Sequence, residues 1–317
     1  MGSFWGHVDE GIFFIIIAVW WMLHAFREYI LAESKGVPMR PNIHYDVTIK
    51  RPLPIEIIFK ILFPIVGFLG EFLDGGVRFQ DEHGNFVKLI YQQHMTIYGI
   101  FIIHGVTDLM AWFKAPLFPS FNYMTAFLAF TWYGVAFYYH ASMHGKEPVE
   151  TIVHILPIYV MFVVSTAILL EVKWKEGVWT MVIRSYGVLT LGTWFSHVAF
   201  MLYVHDRFPG GEPSNLDRTD PNNVTYVKAM FGLHLLANLV VSILLYALVY
   251  VTLSFRLKIH IKMPKYGQES EKLYSHKKCA YKRVPLNSQD VCSEDSTLLL
   301  GSDSKTQDSQ AVKSEDL

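Results

Sequence analysis

Seven runs of mostly apolar residues dominate this sequence, each near the length of about 20 residues that a helix needs to cross a hydrocarbon core of about 30 Å. They run approximately from Gly11 to Leu31, Pro54 to Leu73, Lys88 to Phe113, Phe121 to Ala141, Val149 to Glu171, Val178 to His205 and Thr225 to Phe255. Short segments rich in Gly, Pro and charge separate them. Of the 317 residues, 52% are hydrophobic and 17% charged, against about 25% charged in a soluble globular domain. The expected fold is all-α: a polytopic membrane protein with a seven-transmembrane-helix bundle over residues 1–260 and a disordered cytosolic tail over 261–317. A formal net charge of -1 leaves no large basic face, so nucleic acid is excluded as a partner and the lipid bilayer is the expected one. The two cysteines, Cys279 and Cys292, both fall in the tail, where they can neither staple a core nor build a thiolate metal site.

Basic residues resist translocation, so their distribution orients the bundle. With the amino terminus lumenal or extracellular, the cytosolic side receives Arg27, Lys35, Arg40, Lys50, Arg51 and the dense basic cluster from Arg256 to Arg283. Asp9 and Glu10 precede the first run without a basic leader, so it reads as a retained helix rather than a signal peptide. The same orientation puts the glycosylation acceptor pattern at Asn223 in an outer loop close to the seventh span.

Ionisable side chains at membrane depth are costly unless paired, and each is a functional candidate. Nine histidines lie in or at the ends of the spans. Counting rise per residue places His94, His154, His197 and His234 within about 8 to 14 Å of the outer surface, with His140, His144 and His205 at outer span ends. Glu71 closes the second span on that side and His7 precedes the first, whereas only His24 and His104 fall in the inner half. His140 and His144, four apart, share a helix face, and His154 follows after a short turn; together they could ligate zinc, with water in a fourth position. His94 and His234 are the alternative ligands, and Glu71 or Glu147 could act as general base or hold an imidazole tautomer. The same histidines equally fit hydrogen bonding between helices. Haem, with His24 and His104 as an inner pair, is a third option. Asp108 and Arg184 stand at similar depth and are expected to pair.

Within the polar tail, Glu294 followed by Leu298 and Leu299 has the pattern of an acidic dileucine signal, and Tyr281 with Val284 that of a tyrosine-based signal. Both are read by clathrin adaptors on extended cytosolic segments, which points to endosomal or lysosomal sorting. Cys279, among basic residues, is a candidate for palmitoylation.

The residues from Gly6 to the seventh span resemble the transmembrane protein 45 and transmembrane epididymal protein family. The resemblance is carried by Gly70 and Glu71, by His94 to Tyr98 with Asp108 beyond, by Phe137 to His140 running into His144 and Glu147, and by His154, Gly192 to Phe195 and His234. The relatives' fourth span ends in His-x-His, whereas His140 and His144 are four apart, and His197 stands where relatives carry another polar residue. The resemblance implies seven spans and residence in Golgi, endosomal, lysosomal or surface membranes. It implies no established reaction, and a link of some members to innate antiviral restriction or epithelial differentiation. Two functions follow as expectations: a membrane protein acting through trafficking or partner binding, or a lumen-facing zinc-dependent intramembrane lipid hydrolase. Replacing Leu298 and Leu299 by Ala is expected to shift a tagged protein from internal membranes to the cell surface, measured by surface biotinylation; an unchanged surface fraction would remove the adaptor signal.

Overall fold

Glycine and proline set the helix boundaries. Gly76, at φ 71°, ends one helix with its amide donating to the Phe72 carbonyl at 2.9 Å, and Pro148 begins another, where its missing amide costs nothing. In the computed structural model, which describes residues 4–39, 42–48, 52–76, 79–142, 145–174, 177–203 and 216–257, seven helices result. They are α1 (Phe4–Lys35), α2 (Ile55–Gly75), α3 (Leu89–Trp112), α4 (Phe121–Ala141), α5 (Pro148–Lys173), α6 (Val178–Tyr203) and α7 (Pro221–Leu257). A two-residue hairpin pairs Val47 with Leu53 between α1 and α2. The proposed tail and its sorting motifs lie outside the described residues, as do His144 and His205.

Among the described residues, α1, α3, α5 and α7 are long and apolar enough to cross a membrane, which makes this an all-α membrane protein. The other three are 21 to 26 residues long and carry polar side chains that they turn inward. Glu56 and Lys60 on α2, His140 on α4 and Arg184 on α6 are all buried. Two boundaries differ from expectation with consequences. The first helix starts at Phe4 rather than Gly11, which carries His7 and Glu10 into the bundle, and the seventh starts at Pro221, which places Asn223 in a helical first turn rather than a loop. There its side-chain amide donates to the Asp217 carbonyl at 2.8 Å.

The most extensive helix pair is α1 with α6. Their backbones touch where Gly11 meets Gly192: a Cβ on Gly192 would lie 2.7 Å from the Ile15 amide nitrogen and 2.8 Å from the Gly11 carbonyl oxygen. Small residues at such a crossing let van der Waals contact and interhelical hydrogen bonds replace the hydrophobic drive that lipid does not supply. Two helix prolines then free carbonyls for neighbours. Pro157 cannot donate to Val153, and the Trp194 indole of α6 takes that carbonyl at 3.0 Å. Pro64 likewise leaves the Lys60 carbonyl open, and Gly105 of α3 packs so tightly there that a Cβ would stand 3.3 Å from it. Gly192→Leu is expected to lower the thermal midpoint of the detergent-purified protein and broaden its size-exclusion peak. Gly70→Ala, at a position with no atom within 4 Å of the added carbon, should leave both unchanged.

Candidate functional site

At the end that carries the α1 amino terminus, heptad-like spacing turns His7 and Glu10 of α1, His94 and Tyr98 of α3 and Phe137 and His140 of α4 toward one another. They line a cavity of about 160 Å³, closed by Glu71 and Asp74 of α2 and His154 of α5. Two of its acid groups have partners. His94 Nδ1 meets Glu71 Oε1 at 2.9 Å, and the Tyr133 hydroxyl donates to Glu10. The His154 Nδ1–H donates to its own helix at the Glu150 carbonyl, 2.6 Å away, which leaves Nε2 as an acceptor. The His140 ring stands 4.7 Å from that of His154 and 5.6 Å from that of His94. His140 is 7% exposed, and its Nδ1 has no hydrogen-bond partner among the described residues. Just outside α5, burial pulls the Lys146 ammonium below the ordinary lysine range, opposed by Glu150 at 3.7 Å.

The structure thus brings together His140, His154, His94 and Glu71 of the expected residues, while His144 lies outside the described residues. His234 turns to α6 instead, with its Nε2 2.8 Å from His197 Nδ1. Glu147 is half-exposed beside Arg218 at 3.8 Å and is not among the residues that line the cavity. Among the described residues no three of His, Cys, Asp and Glu are placed to hold one metal ion. His24 and His104 serve different networks: His24 donates to the Trp20 carbonyl at 2.9 Å, whereas His104 Nδ1 lies 3.3 Å from the Thr125 hydroxyl.

At the opposite end lies a second polar centre that the sequence reading missed. Lys60 Nζ is 2.9 Å from Glu56, 2.8 Å from Asp108 and 3.1 Å from the Ile43 carbonyl. Glu56 also accepts from the indoles of Trp20 and Trp21 at 2.8 and 2.7 Å and from the Tyr45 amide at 2.7 Å. The expected Asp108–Arg184 pair does not form. Lys60 occupies Asp108, while Arg184 reaches Glu171 at 3.4 Å and the Asn42 carbonyl at 3.0 Å and lies over the Trp21 ring. Residues 42–46 are therefore threaded into the bundle by contacts from α2, α3 and α6. Burial there holds the Tyr45 phenol above its ordinary range. The signal was present in the sequence as Glu56 and Lys60, four apart inside an apolar run, and as Glu171 in another.

Residues 119–247 match the family model DUF716, a family of unknown function. That model includes the transmembrane protein 45 proteins. The match spans α4, α5, α6 and most of α7, and so contains His140, His154, Glu171 and Arg184, but neither Glu10 nor Lys60.

Removing one member of a buried ion cluster strands its partners, at a cost of about 3 to 5 kcal/mol. Lys60→Met is expected to destabilise the purified protein by about that amount, read as loss of thermal midpoint. Adding Asp108→Asn, which removes one stranded charge, should recover part of the loss; strict additivity would show that the two side chains are uncoupled.

Proposed function

We propose that this chain is a seven-span membrane protein of the endosomal, lysosomal and Golgi system, with its amino terminus lumenal and its tail cytosolic, that binds a small organic cation in the cavity. Helix length supports the reading of seven spans: even the 21 residues of α2 reach about 31 Å. The outward apolar stripe of Leu233, Leu236, Ile243, Leu244 and Leu248 supports α7 as one of them, since water would not tolerate it. The orientation rests on the basic residues, and the compartment on the tail motifs, with clathrin adaptors as the cytosolic partners.

The observation that carries the ligand class is the charge of the cavity wall. Glu10, Glu71 and Asp74 contribute three carboxylates, and among the described residues no Lys or Arg lines it. Tyr91, Tyr98 and Phe137 add ring surfaces, on which a cation is stabilised by the quadrupole. Neutral imidazole nitrogens such as His154 Nε2 accept hydrogen bonds from an ammonium.

Methylammonium chloride, tested against equal sodium chloride on the full chain in nanodiscs, is the probe. Saturable thermal stabilisation is expected, about 2.7 kcal/mol at a hundredfold excess over Kd, and its loss in Glu71→Gln. Stabilisation equal to that by sodium, or unchanged in Glu71→Gln, would reject the reading. The second reading, a lumen-facing zinc-dependent lipid hydrolase, is favoured by the adjoining His140 and His154 rings. It requires stoichiometric zinc in elemental analysis of the purified protein and release of that zinc by His154→Ala.

A further inference from the structure

Three helices present matching stripes to the bundle interior. On α3 the residues at spacing 3 or 4 are His94, Ile97, Phe101, His104 and Asp108, which puts all five on one face over about 21 Å. On α1 the same spacing gives His7, Glu10, Phe14, Ile17 and Trp21, and on α4 Phe130, Tyr133, Phe137 and His140. Each stripe is polar or titratable at the cavity end and aromatic at mid-depth, and on α3 it is titratable again at the far end. The aromatic level is closed by rings in direct contact. Phe101 stands edge-on to Phe130 at 5.4 Å and to Tyr133 at 5.8 Å, and Phe14 lies 5.9 Å from Tyr133.

We propose that this interior is a gated proton path, with the histidine–carboxylate cavity and the His104–Asp108 pair as its two proton-exchanging ends and the rings of Phe14, Phe101 and Phe130 as the gate. On the cavity side the last exchanging groups are Glu10 and its donor Tyr133, which sit directly against the ring layer. On the far side a mainly apolar void of about 20 Å³, bounded by Phe14, Phe101 and Phe130 with Lys60 and His104 at its wall, is large enough for one water, which needs about 10 to 15 Å³, and admits it when the rings part. From there His104 Nε2 lies 3.6 Å from Asp108, whose other oxygen is 3.7 Å from His44 on the threaded loop. A proton entering at Glu71 and His94 passes to Glu10, crosses the ring level on water when the rings part, and leaves through His104, Asp108 and His44. Every group returns to its starting state, and the net event is one positive charge moved. A one-water void excludes a hydrated metal ion.

The path shares the cavity with the cation site but needs no ligand there, so methylammonium binding and proton flux stand or fall separately. The test uses the full chain in potassium-loaded phosphatidylcholine vesicles, with valinomycin supplying the counter-current and a pH-sensitive dye reporting flux. Wild type or Phe101→Ala is expected to exceed protein-free vesicles, with Phe101→Ala the faster because its gate is open. Glu10→Gln and His104→Gln, placed in the Phe101→Ala background, should return flux to the protein-free level while the size-exclusion profile stays unchanged. Silence of both wild type and folded Phe101→Ala overturns the proposal. Flux that survives both Gln substitutions, or that follows a sodium gradient instead of the proton gradient, overturns it as well.

Discussion

Lys60 holds two carboxylates and a backbone carbonyl at hydrogen-bonding distance, deep in a bundle where an unpaired ammonium would cost several kcal/mol. What depends on it is more than one ion cluster. Glu56 is on α2, Asp108 on α3 and Ile43 on the loop after α1, so one side chain ties three segments distant in sequence. The Glu56 carboxylate passes the constraint to α1 through Trp20 and Trp21, and the loop passes it to α6 through Arg184. Polar contacts between helices in lipid contribute about 0.6 to 2 kcal/mol each, so their number matters more than any single one. Concentrated at one end, they make that end a rigid clamp.

The cavity end follows a different plan. Two of its carboxylates are paired, Glu71 with His94 and Glu10 with Tyr133, and His140 keeps a ring nitrogen with no partner among the described residues. A network with spare donors and acceptors is a poor fastener, because every unsatisfied buried atom costs free energy. It is a good place to receive something. The two ends thus differ in kind, a cross-linked ion cluster at one and an open cavity at the other, and the glycine crossing of Gly11 with Gly192 lets α1 reach both.

The helices were legible because apolar runs of span length admit few other structures in lipid. The grouping of His94, Glu71, His140 and His154 was legible from depth alone, since residues at one level of a bundle meet. Partner choice was not. Asp108 and Arg184 have matching depth and opposite charge, yet they are on helices α3 and α6; α2 packs on α3 and brings Lys60 to the first, and α5 packs on α6 and brings Glu171 to the second. His234 has the depth of the cavity histidines too, and α7 packs against α1, α5 and α6, yet its neighbour is His197 of α6. Depth is a one-dimensional coordinate; neighbour identity needs the helix order around the bundle, which one sequence does not encode locally.

Pro157 shows how such order is written in backbone rather than side-chain chemistry. A proline in α5 removes the amide that would have bonded the Val153 carbonyl, and that carbonyl takes the Trp194 indole from α6. The next residue after Val153 is His154, so the bond that joins α5 to α6 also sets the rotation at which His154 turns its Nε2 from its helix toward the cavity. Trp194 in turn stands edge-on to His234 at 5.5 Å, which ties α7 to the same point. Restoring an amide by Pro157→Ala would let the helix close its own hydrogen bond and release the indole. The residue that orients the cavity imidazole is therefore one that never touches it.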